Sequence, residues 1–172
     1  MFNQNNYLMK NFSKLLFTAL FMLAVAPAFS QFSAGVNLGL PSGDWSNFWG
    51  TGIGIDGRYE AAIQDKLNWT ATGAFMSYSG KSYQGITVNS ITSISFMGGV
   101  KYYFQESNAG FYGGLDAGFF IFSGSNNSES RFAIAPGVGY RLEKFDFSFR
   151  YNSISDFNLI GLRAAYIFGG GK

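Results

Sequence analysis

The 172-residue chain has no cysteine and no histidine. The first absence excludes disulfides, thiolate metal sites and cysteine nucleophiles. The second removes the commonest general base, the commonest zinc ligand and every serine–histidine or cysteine–histidine mechanism. Charge is also scarce: Asp, Glu, Lys and Arg make up 13% of the chain, against 19% aromatics and 23 glycines. A soluble domain usually carries about twice that share of charge, so an ordinary solvated surface is not expected.

No apolar run is long enough to cross a bilayer as a helix, which takes about 20 residues. The longest, Leu15 to Ala26, follows Lys10 and Lys14 and precedes Ala28-Phe29-Ser30, whose small residues suit cleavage before Gln31. This is the pattern of a Sec signal peptide. Residues 1–30 are therefore expected to be removed, leaving 31–172 as one domain, with Met9 as the expected start of translation because nothing before it adds to the signal. No cysteine follows the run, so no lipid anchor is expected there. Loss of Lys10 and Lys14 leaves ten basic against ten acidic residues. A neutral chain offers no electrostatic case for nucleic acid.

The stretch "GIGIDGRYE" (52–60) contains Gly52, Gly54 and Gly57 in the G-x-G-x-x-G spacing of a dinucleotide turn. That motif needs a preceding strand, a helix opening within it and a crossover to a parallel partner. Here Ile53, Ile55 and Tyr59 instead alternate with Asp56, Arg58 and Glu60, and the alternation continues through Ala61. Such period-two patterning marks a strand with unlike faces.

It recurs eight times, over 32–40, 53–61, 67–75, 94–104, 111–121, 132–142, 145–151 and 160–168. When each register is set by the apolar residues alone, those positions carry no charge. The opposite positions hold Asp56, Arg58, Glu60, Lys101, Asp116, Arg141, Asp146, Arg150 and Arg163 among Gly, Ser, Thr and Asn. One face is greasy and aromatic-rich, and the other is small, polar and nearly charge-balanced.

Connections alternate as well: short after the second, fourth and sixth strands, longer and richer in Gly, Ser and Asn after the first, third and fifth. These are the short periplasmic turns and long extracellular loops of a transmembrane barrel. The expected fold is all-β, an eight-stranded antiparallel up-and-down barrel with the apolar face in lipid and a charge network filling the lumen. Tyr59, Trp69, Tyr102, Phe104, Phe111, Tyr140, Phe145, Tyr166 and Phe168 gather toward the short-turn ends as an interfacial girdle should. A soluble lipocalin-like barrel, with its apolar residues turned inward around a ligand, is the inverted alternative.

Local expectations follow. The two-residue link Glu143-Lys144 sets Arg141 directly across from Asp146, predicting an ion pair inside the barrel. Pro136, inside the sixth strand, predicts a bulge near the outer rim. Trp45, Phe48 and Trp49, in the loop 41–50, are expected on the membrane rim, with a glycan, lipid headgroup or protein partner as the alternative.

The segments "ISFMGGVKYYF" (94–104), "FAIAPGVGYRL" (132–142) and "GLRAAYIF" (161–168) resemble the small outer-membrane β-barrel proteins of the Bacteroidota type, relatives in architecture of OmpA- and OmpX-like barrels. The resemblance covers the whole of 31–172 and implies architecture rather than activity. It implies a place in the bacterial outer membrane in contact with its lipid, and insertion by the outer-membrane assembly machinery. Gly161, Tyr166 and Phe168 match the C-terminal strand signal for that machinery, although this chain continues with Gly-Gly-Gly-Lys (169–172). The enzymatic barrels of such membranes rely on a histidine, so no catalysis and no cofactor are expected. The expected role is structural or interactive through loops 41–50, 78–89 and 123–130, with no particular extracellular partner implied. A small passive pore through the charged lumen is the alternative.

Overall fold

The structure is a computed structural model that describes residues 30–83, 86–105, 109–124, 127–155 and 157–168. Residues 1–29 of the expected signal peptide and the 169–172 tail lie outside the described residues. The elements are β1 (Ser30–Ser42), the single helical turn α1 (Trp45–Phe48), β2 (Trp49–Gln64), β3 (Leu67–Gly80), the two-residue strands β4 (Ser82–Tyr83) and β5 (Ile86–Thr87), β6 (Ile91–Tyr103), β7 (Gly110–Ser123), β8 (Ser128–Leu142), β9 (Phe145–Ile154) and β10 (Phe157–Phe168).

Eight of these strands form one closed antiparallel barrel in the order β1, β2, β3, β6, β7, β8, β9, β10, with β10 returning to β1. The closing seam is long, from Phe32 opposite Phe168 to Ser42 opposite Asn158. Closure leaves the barrel without an edge strand, the condition for a sheet to sit in hydrocarbon. β4 and β5 pair only with each other as a small hairpin above β3.

The tight turns explain how neighbouring strands meet in register. Asp65-Lys66 and Glu143-Lys144 each join two strands with two residues, and Lys66 (φ 66°) and Glu143 (φ 44°) adopt the left-handed backbone that such hairpins use. At β2 the "GIGIDGRYE" stretch is continuous strand, with Ile53 and Ile55 exposed and Asp56, Arg58 and Glu60 buried. No helix opens there, so the glycine spacing is a by-product of strand alternation.

On every barrel strand the outward face carries large apolar side chains, among them Val36, Ile55, Phe96, Phe119, Val138 and Phe149, while Asp56, Arg58, Glu60, Lys101, Asp116, Arg141, Asp146, Arg150 and Arg163 point into the lumen. A lipocalin-like barrel would show the opposite. An apolar belt of this extent is compatible with lipid and not with water. Glycine makes room on the inner side: a Cβ at Gly52 would run into the ring of Tyr78, and one at Gly139 into the ring of Tyr112.

Pro136 corrects one expectation. It sits mid-strand on the lipid face of β8, and pairing with β9 lapses at Ala135 and Pro136 and then resumes between Gly137 and Arg150 in the same register. No residue is inserted, so there is no bulge: the ring removes a donor without displacing the chain. The observed irregularities lie at the two ends of the β2–β3 ladder, between Trp49 and Gly52 and between Ala62 and Gln64.

Depth in the bilayer should govern tolerance on the outer face. Phe96→Arg, at mid-height on β6, is expected to destabilise the folded barrel by about 2–4 kcal/mol, and Phe104→Arg, at the short-turn end, by about 0–1 kcal/mol. Urea unfolding in phospholipid vesicles measures both; equal, small effects would mean that this face does not contact hydrocarbon.

Candidate functional site

The lumen is the site, and its height divides it in two. The lower tier, toward the short turns, collects the charges. Asp56 on β2 receives a bidentate pair from Arg163 on β10, with Nε to Oδ2 at 2.5 Å and Nη2 to Oδ1 at 2.8 Å. The side chains of both residues are completely buried. The same guanidinium donates to Asp146 Oδ1 at 3.2 Å and to Ser33 Oγ at 3.0 Å. Lys101 on β6 lies between Asp146 Oδ2 at 2.6 Å and Glu60 Oε2 at 2.9 Å. Arg58 donates to Thr72 Oγ1 at 2.8 Å and to Asp116 Oδ2 at 3.4 Å, while Thr70 donates to the other oxygen of Asp116 at 3.0 Å.

Neutral residues complete the network. Glu60 Oε1 also accepts from Asn68 Nδ2 at 2.8 Å and from the Tyr103 hydroxyl at 2.7 Å, and Asp146 Oδ1 accepts from the Tyr112 hydroxyl at 2.8 Å. Tyr103 and Tyr112 are neighbours, with ring centroids 5.3 Å apart, and Lys101 Nζ sits 4.2 Å above the Tyr112 ring. Sequence reasoning missed both tyrosines. They lie next to outward aromatics, Tyr102 and Phe111, and the signal was the doubling itself: an aromatic on both faces of a strand end.

All nine sequence-predicted lumen charges point inward, and the strands bring them into two sets, Asp56, Arg163, Asp146, Lys101, Glu60 and Arg141 in one and Arg58, Asp116 and Arg150 in the other. One predicted pair is not made. Arg141 and Asp146 are opposite each other as expected, but Asp146 is held by Lys101 and Arg163, and Arg141 Nη1 lies 4.0 Å from Glu60 Oε1 instead. In so narrow a barrel long side chains reach across the axis, so adjacency on neighbouring strands does not decide partners. Asn68, which opens an N-x-T glycosylation match, is buried here on Glu60.

The upper tier is apolar. Met76 and Tyr78 on β3, Met97 on β6, Phe120 and Phe122 on β7, Ala133 and Ala135 on β8, Ile154 on β9, and Phe157 and Leu159 on β10 form one buried cluster inside the barrel. Trp45 of α1 closes it from above. Its ring stacks on Phe157 with centroids 3.5 Å apart and planes 7° from parallel, and meets Phe122 edge-on at 5.3 Å. Trp45 therefore caps the lumen and does not lie on the membrane rim. Trp49 packs against Trp45 at 4.4 Å and donates its indole N–H to the Asn89 carbonyl at 3.3 Å, while Phe48 is exposed.

Physically the arrangement can hold charge inside a low-dielectric cylinder, because every carboxylate has a cation or several donors around it. It can also block passage, because the apolar cluster and its tryptophan cap fill the lumen above the charges. Gly161 points inward on β10, and Tyr166 and Phe168 point outward at its short-turn end, where Tyr166 meets Phe145 at 5.6 Å and Phe168 at 5.1 Å.

Comparison with known proteins agrees with this geometry. The family model described as "outer membrane protein beta-barrel domain" matches residues 13–168. No curated protein matches the sequence. Among solved structures, Ail, the attachment invasion locus protein of Yersinia pestis, is similar at 20% identity and a TM-score of 0.53, over 82% of this chain and 99% of that one. The outer membrane protein OprG from Pseudomonas aeruginosa is similar at 14% identity and a TM-score of 0.54, over 83% and 97%. A de novo designed transmembrane β-barrel is similar at 14% identity and a TM-score of 0.52, over 80% and 95%. At such identities the likeness is one of fold.

Arg163 is the residue whose loss should matter most in the lower tier, since it leaves Asp56 without its bidentate partner and removes one of the two cations on Asp146. Arg163→Ala is expected to lower unfolding stability by about 3–5 kcal/mol, the usual consequence of breaking a buried ion pair from one side. Asp65→Ala in an exposed turn should stay within about 0.5 kcal/mol. Urea midpoints in detergent micelles compare them; similar midpoints would show that the lumen charges are solvated.

Proposed function

The chain belongs to the outer membrane protein beta-barrel domain family, and on that premise we propose that it is a closed, non-enzymatic barrel that presents its long loops at the cell surface. Its place is the bacterial outer membrane. The observation that carries this role is the sealed lumen: ion pairs below, the Met76–Phe120–Leu159 cluster above them, and Trp45 across the mouth. A barrel plugged by its own side chains has little to transport, which leaves its ends as the functional surface.

The loops after β1 and β3 are tied down. α1 is anchored through Trp45, Lys81 Nζ donates to the Ser46 carbonyl at 2.9 Å, and β4–β5 forms a hairpin on the loop between β3 and β6. Such loops present a defined shape rather than a random coil, which suits structural or surface interaction. Residues 1–30 serve as the export signal in this reading. The N-terminus of β1, the turns at Asp65-Lys66 and Glu143-Lys144 and the short-turn ends of β6 and β7 then face the periplasm. The assembly machinery engages β10 through Gly161, Tyr166 and Phe168.

Two measurements test this. The refolded chain in a planar bilayer is expected to be electrically silent; a steady conductance that changes on Arg150→Ala would replace the closed barrel with the small passive pore. Orientation can be read by single-cysteine labelling, for which a cysteine-free chain is well suited. With an impermeant maleimide on intact cells, Asn47→Cys is expected to label and Asp65→Cys to stay unlabelled; the reverse pattern would invert the topology.

A further inference from the structure

Between the two tiers lies a cavity of about 40 Å³, above the roughly 10–15 Å³ that admits one water. Its wall mixes apolar Met97, Phe120 and Leu159 with polar Thr72, Ser95 and Arg150, and no carboxylate lines it. Arg150 is loosely engaged. Its Nη1 lies 3.6 Å from Asp116 Oδ2, an oxygen already 3.4 Å from Arg58, its Nη2 is 3.5 Å from Asn37 Oδ1, and its buried Nε has no hydrogen-bond partner.

Charge counting leads to the same place. The lumen network holds five cations, Arg58, Lys101, Arg141, Arg150 and Arg163, against four carboxylates, Asp56, Glu60, Asp116 and Asp146. A surplus positive charge in a low-dielectric interior is unfavourable unless something neutralises it. Thr72 accepts from Arg58 through its oxygen, so its own hydroxyl proton is free to point into the cavity. Ser95 contributes a second hydroxyl to the same wall.

We propose that this cavity is a binding site for one small monovalent anion, chloride at ordinary salt, held by Arg150 with the Thr72 and Ser95 hydroxyls and roofed by the apolar plug. A guanidinium Nε–H without a partner, hydroxyl donors, no carboxylate in the cavity wall and one uncompensated positive charge together define an anion site. The size of the cavity limits the occupant to a halide with little or no water around it.

The test refolds the full mature chain in detergent with sodium bromide as the probe and locates bromide by anomalous diffraction. A single strong peak beside Arg150 Nε is expected. In parallel, the temperature at which the compact gel band is lost should be higher after refolding in chloride than in sodium gluconate at equal ionic strength, because gluconate is too bulky for the cavity. Arg150→Gln, which leaves four cations against four carboxylates, should fold and show the same transition temperature in both salts. Ordered water alone in the cavity would overturn the proposal. So would a bromide peak with no chloride dependence of stability, meaning binding at crystal concentration only. If Arg150→Gln does not fold, the wild-type peak and the salt dependence still decide the question. Conductance is a separate readout, so failure of the closed-barrel reading would be distinguishable from failure of the anion site.

Discussion

Everything in this molecule follows from the requirement that backbone N–H and C=O groups find partners inside a hydrocarbon layer that offers none. A sheet satisfies that only by closing on itself, and here β10 meets β1 along eleven paired residues from Phe32–Phe168 to Ser42–Asn158. Closure fixes the rest. With eight strands the cylinder is narrow, alternation sends every second side chain into it, and whatever is sent inward must fill the space without leaving an uncompensated charge.

The protein meets that second constraint differently at different heights. Near the short turns it uses long charged side chains that reach across the axis, so that Arg163 on β10 serves Asp56 on β2 and Asp146 on β9, and Lys101 on β6 serves Glu60 on β2. The pairs to Asp56 and Glu60 tie together strands that are not hydrogen-bonded neighbours. Near the long loops it uses Met, Phe, Ile and Leu, which need no partners and pack like an ordinary core. Glycines on the inner face, such as Gly52 beneath Tyr78 and Gly139 beneath Tyr112, allow rings to lie flat against the wall.

Strands and facing were legible in the sequence because both depend on one local rule, the two-residue period, and because hydrocarbon allows no charge on the outer face. That is why Asp56, Arg58 and Glu60 could be placed inside from "GIGIDGRYE" alone. Partners were not legible. Arg141 and Asp146 stand where the hairpin puts them, but reach across a curved wall is a three-dimensional matter: Lys101 arrives from β6, distant in sequence, and Arg163 from the adjacent β10. The apolar plug also escaped a search for alternation, since in Phe119-Phe120-Ile121-Phe122 both faces are apolar and no period shows. An unbroken apolar run inside a barrel strand is the signal for a dry stretch of lumen. Pro136 misled for a related reason: a missing donor suggested a bulge, whereas the ladder tolerates the gap and keeps its register.

Trp45 joins the plug to the loops, and this bears on what the barrel is for. Its ring is sandwiched into the top of the lumen by Phe157 and Phe122, so the conformation of α1 is set by residues of β7 and β10 rather than by the loop itself. Lys81 then fixes Ser46, and Trp49 fixes Asn89, so that the loops after β1 and β3 are tied to each other as well as to the core. A lumen that served passage would gain nothing from welding its mouth to its loops. A scaffold that must hold a surface shape gains rigidity by it, because the ordering of each loop is supported by packing that already exists for the sake of closing the barrel.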